Sequence, residues 1–161
     1  MKSVEEIRAR YRPTRIRTLF VGESAPVSGD FFYEGDTMML RNTKQAVEQA
    51  FGTDGNFLKR FKSYGWYLDD LVLVPINKLS RSERKAKWRE SQGDLTARIA
   101  EYQPEAIVSM LRCIDSTVNA AADAAGSRVP RYVVPFPGMG HQRRFLSEMA
   151  KILPKLPRAV A

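Results

Sequence analysis

Four short runs of β character set the limits on this chain: IRTLFV at 16–21, LVLV at 71–74, AIVSM at 106–110 and YVV at 132–134, each closed by a turn. Between them the apolar residues fall at helical spacing. They are Ala46, Val47, Ala50 and Phe51; Phe57, Leu58, Phe61 and Tyr64; Leu95, Ile99 and Tyr102; Ile114, Val118, Ala121 and Ala125; and Phe145, Leu146, Met149, Ile152 and Leu153. Short, continuously apolar strands alternating with such segments predict a parallel sheet covered on both faces. The expected fold is α/β, a three-layer αβα sandwich with a four-stranded, mainly parallel central sheet. A length of 161 residues suits one domain over 1–161, with a basic segment at 1–15 and a frayed tail at 155–161.

Right-handed crossovers put every loop that follows a strand on one edge of such a sheet, where ligands of open α/β folds bind. Loops 22–36, 75–80, 111–115 and 135–142 should therefore converge. In the first, Glu23 stands just past a strand end, a place from which a carboxylate holds a water and takes its proton. Phe31, Phe32 and Tyr33 follow, either as filler beneath a cover over the sheet or as rings that stack on a flat heterocycle. In the second, Asn77 has the donors and acceptor to pair with a pyrimidine edge or to close a turn, and Lys78 reaches a phosphate or faces water. The last, VVPFPGMGHQRRF, fixes its backbone with two prolines and two glycines in six residues. Met139 at its apex is a candidate wedge into a base stack or a packing residue. His141 either hydrogen-bonds a substrate or phosphate oxygen or begins a helix.

Charge points the same way. Twenty-six basic and eighteen acidic residues leave +8. The excess is clumped at Arg8, Arg10, Arg12, Arg15 and Arg17, then at Lys78, Arg81, Arg84, Lys85, Lys87 and Arg89, with Arg143 and Arg144 further on. Clumps of this kind suit a polyanion, although they also serve solubility. No apolar stretch approaches the roughly 20 residues that span a bilayer, and the first residues lack the apolar core of a signal peptide. A cytoplasmic location without membrane attachment is expected. Cys113 is alone and His141 is its only possible imidazole companion, so neither a disulfide nor a thiolate and imidazole metal site is expected.

In the order FVGESAP, a Phe-rich segment, LVPINKLS and PFPGMG, the chain resembles the uracil-DNA glycosylase superfamily over about residues 19–145, closest in layout to its mismatch-specific uracil and thymine branch. The resemblance implies a monomeric DNA glycosylase without cofactor that hydrolyses the N-glycosidic bond of uracil or a related damaged base. It assigns water positioning to Glu23 and places Gly22 and Ser24 against the base. Stacking falls to Phe31, Phe32 or Tyr33, base reading to Asn77, and duplex entry to Pro137, Gly138, Met139 and Gly140. Phosphates would lie along Lys78, Arg81, Arg143 and Arg144. Where the family's last motif opens with His or Asn this chain has Pro135, and His141 is the substitute six positions on. Branches holding an iron-sulfur cluster need four cysteines and are excluded by the single Cys113.

Two other functions compete. A nucleic-acid or nucleotide binding module that kept the fold and lost the chemistry is favoured by Pro135. A serine hydrolase is suggested by Gly22-Glu23-Ser24-Ala25, which is similar to the start of a nucleophile elbow, with Asp115 and His141 in the matching chain order. Against it, Pro26 stands where that motif needs Gly.

Overall fold

The computed structural model describes residues 2–159. Its elements run α1 Val4–Arg10, β1 Thr18–Gly22, α2 Met38–Phe51, α3 Phe57–Ser63, β2 Trp66–Asp70, α4 Arg81–Tyr102, β3 Ala106–Ser109, α5 Asp115–Ala124, β4 Arg131–Val133 and α6 Gln142–Ile152. Single 3₁₀ turns cover Arg112–Ile114 and Leu153–Lys155. The four strands are all parallel in the order β2-β1-β3-β4. The chain moves one way from β1 to β2 and the other way from β2 through β3 to β4. Crossovers of one hand then place α2 and α3 on one face and α4 and α5 on the other. The packing agrees: α4 lies on α5, α3 on β2, and α6 returns to α2. This is the expected α/β sandwich, and it buries β1 completely, with Leu19, Phe20 and Val21 inaccessible.

The second strand is not where the apolar run LVLV suggests. β2 is Trp66–Asp70, and 71–74 forms the bend after it, with Leu73 and Val74 43% and 54% exposed. The pairing explains the choice. Trp66 packs edge-on to Phe20, Phe61 and Tyr64, and β2 ends in two acids, Asp69 and Asp70, which are buried because arginines meet them. Arg98 of α4 bonds Asp69 Oδ2 at 2.7 Å, and Arg8 of α1 stands 3.0 Å from Asp70 Oδ2. The basic start of the chain is thus partly structural. α1 opens on a capping box between Ser3 and Glu6, and Arg8 is 1% exposed.

Nor is the tail frayed as far as Ala159. Leu156 is buried, the Pro157 carbonyl accepts from Thr18 Oγ1 at 2.8 Å and Trp66 Nε1 at 2.9 Å, Arg158 covers Phe51, and Ala159 N–H donates to Tyr64 O. The expected fraying of Val160 and Ala161 lies outside the described residues. Among the described residues no helix is long and apolar enough to cross a membrane.

Candidate active site

The loops after all four strands meet over the carboxyl ends of the sheet around a cavity of about 260 Å³. Its walls include Glu23, Ser24, Phe31, Phe32, Asp70 and Asn77, and it is closed by apolar groups such as Met38 and Phe136. This volume is below the roughly 300–1,000 Å³ of pockets for drug-sized ligands and suits one flat ring system.

Glu23 is the most constrained side chain in it. Arg84 grips the carboxylate with two bonds, Nε to Oε2 at 2.9 Å and Nη2 to Oε1 at 2.8 Å, and Trp88 Nε1 donates to Oε2 at 2.8 Å. Arg84 and Trp88 are four apart on α4 and so share one helix face, with the guanidinium over the indole. Oε2 accepts two bonds and Oε1 one, which leaves the freer lone pair on Oε1. The side chain is 17% exposed, enough to reach the cavity while remaining sheltered.

The first loop is held by its rings. Phe31 and Glu34 exchange backbone bonds, Phe32 packs on Phe57 and Phe61, and Tyr33 stacks on Tyr11 with its Oη accepting from Leu68 N–H. Phe31 and Phe32 are 4% and 3% exposed, and both border the cavity. Tyr33 faces a separate hollow against α1, and burial raises its hydroxyl well above the ordinary value. Gly22 sits behind the wall: a Cβ there would come within 2.7 Å of Asp70 Oδ1. Asn77 accepts from Val27 N–H at 3.2 Å, which fixes its amide at the rim.

The last loop is anchored rather than open. Asn42 of α2 donates to Pro137 O at 2.8 Å, Gly138 N–H turns inward to Phe136 O, and Pro135, Pro137 and Gly138 are buried. Met139 is 78% exposed at φ 56°, followed by Gly140 at φ 85°. His141 is the N-cap residue of α6 and lines shallow hollows with Gly140, Arg143 and Arg144, on the far side of a wall made by Leu111 and Phe136. It does not share the Glu23 cavity. Ser24 does, but among the described residues no hydrogen bond joins Ser24, Asp115 and His141. Lys78 and Arg81 are exposed on the same sheet edge, as are Arg143 and Arg144, and none of the four makes an ion pair among the described residues.

Three groups of this site escape a sequence inspection: Asp70 in the cavity wall, and Arg84 and Trp88 behind Glu23. Arg84 and Trp88 carry a visible signal, the i, i+4 spacing on the helix that follows Asn77. Among the described residues no cluster of side chains suited to a metal ion is found.

The fold and the cavity together define a class: a doubly wound α/β protein with a small, acid-bearing crevice over the carboxyl ends of its strands. No family model matches the chain, and no curated protein matches it.

Proposed function

We propose that the protein is a DNA glycosylase-type hydrolase that removes a base swung out of the nucleic acid into the cavity. The observation that carries this is Glu23, an acid fixed by Arg84 and Trp88 at the wall of a ring-lined hollow of nucleobase scale. In the proposed reaction, water adds across the bond between sugar and base: hydroxide goes to C1′, and the electron pair of the broken bond stays on the base, which takes up a proton. Glu23 Oε1 orients the water and offsets the positive charge that develops on the sugar. Phe31 and Phe32 flank the ring, Asn77 meets its polar edge, and Lys78, Arg81, Arg143 and Arg144 supply phosphate contacts beside the opening.

The test uses end-labelled oligonucleotides, single-stranded and duplex, each with one uracil or one other candidate base. They are incubated with the protein and treated with alkali to cut abasic sites. Cutting is expected, and Glu23→Gln should lower it by about 100-fold or more. A binding module without chemistry is the second reading, favoured by the three bonds already made to Glu23 and by Pro135. DNA retarded on a gel with no base released from any substrate would establish it instead.

A further inference from the structure

The cavity contains a second carboxylate for which base release, as set out above, has no use. Strand alternation puts Leu68 and Asp70 on the same face of β2, and both border the cavity. The Asp70 side chain is 8% exposed. Arg8 takes its Oδ2, at 3.0 Å. Oδ1 lies on the Gly22 side and accepts no hydrogen bond among the described residues. A sheltered carboxylate oxygen without a donor is unfavourable, so whatever fills the cavity is selected for supplying one. Asn77 offers the opposite polarity: its Oδ1 is occupied by Val27 N–H, and its Nδ2 meets no acceptor among the described residues.

We propose that this cavity selects a base with an exocyclic amine beside a ring acceptor, the edge of a cytosine-type or adenine-type ring. Asp70 Oδ1 accepts from the amine, and Asn77 Nδ2 donates to a ring nitrogen or carbonyl. A carboxylate accepting from an exocyclic amine is an established mode of base discrimination. Uracil would instead set its O4 carbonyl against the carboxylate, acceptor on acceptor. It would also leave as an anion next to a fixed negative charge, whereas an amine-bearing base departs neutral when a ring nitrogen not bonded by Asn77 takes the proton that the attacking water gives up. The proposal rests on the glycosylase reading of the site and narrows its substrate class.

Two measurements test it at pH 7.5 on the full chain. The first is calorimetric binding of free cytosine, adenine and uracil. The second is release from thymine-tract oligonucleotides that carry a single cytosine, adenine or uracil. Cytosine or adenine should bind about tenfold or more tightly than uracil and be released in preference. Asp70→Asn, which gains an amide donor, should erase or invert that order. Uracil bound or released as well as the amine-bearing bases by the wild type, no base bound at all, or an order unchanged in the variant would each overturn the proposal. The wild-type order decides even if the variant does not fold. Amine preference in binding with no release from any oligonucleotide would keep the ligand class and remove the glycosylase reading. Preferential release of uracil would do the reverse.

Discussion

Burial pushes the Asp70 carboxyl up from its ordinary 3.8 to about 6, against the pull of Arg8 and with a further push from Asp69. The charged groups around it are Glu5 and Arg8 of α1, Asp69 on its own strand, Arg98 of α4, which bonds the Asp70 carbonyl, and Glu23 across the cavity. Burial would lower Arg8, but Asp70, Asp69 and Glu5 outweigh it and keep that guanidinium charged. Because the folded state binds the Asp70 proton more tightly than the unfolded chain, this residue costs stability above pH 6, and the cost is relieved as pH falls from about 6 to about 4. Urea unfolding should show the wild type gaining about 2 kcal/mol relative to Asp70→Asn between about pH 7 and about pH 4. The same protonation turns an acceptor into a donor, so the preference for amine-bearing bases should fade below about pH 6. Glu23, Ser24, Asn77, Phe31 and Phe32 are legible in the sequence because each follows a strand end in a loop that cannot be helical. Asp70 is not, since an acid at the end of a strand is buried only by virtue of an arginine far away in the chain.

Among the elements, β1, β3 and β4 can be located from apolar runs, while β2 and α1 cannot, for one shared reason. The acids that close β2 break its apolar pattern, and the residue that makes them tolerable, Arg8, lies on a seven-residue helix whose sequence looks like a solvated basic segment. The run at 71–74 reads as a strand although its outer half is exposed. The C-terminal segment misleads in the same way: its polar, proline-bearing sequence suggests a loose end, yet its Pro157 carbonyl pairs two donors of the core. Truncation after Lys155 should leave Trp66 Nε1 and Thr18 Oγ1 unpaired and cost at least about 2 kcal/mol by urea unfolding. An unchanged midpoint would mean that water replaces Pro157.

For the whole molecule, the net charge overstates what is offered to a polyanion. Arg8, Arg84 and Arg98 are committed to Asp70, Glu23 and Asp69, and Arg15 and Arg17 meet Glu105. Lys78, Arg81, Arg143 and Arg144 remain exposed on the edge that carries the cavity, as does Met139. DNA affinity should therefore fall with salt, and the double change Arg143→Ala with Arg144→Ala should reduce the slope of log affinity against log salt by about 2. Fluorescence anisotropy at several salt concentrations measures it; a slope that does not move would place the nucleic acid on another face.

The clasp between Arg8 and the acids of β2 also has a bearing on how the chain is made. α1 is synthesised before the residues it packs against, but seven residues are too few to hold a helix in isolation. Its partners Tyr33, Lys62, Asp69 and Asp70 leave the ribosome later. A segment that emerges before its partners thus settles only after them, and the cavity acquires its balance of charge only when α1 comes back to it.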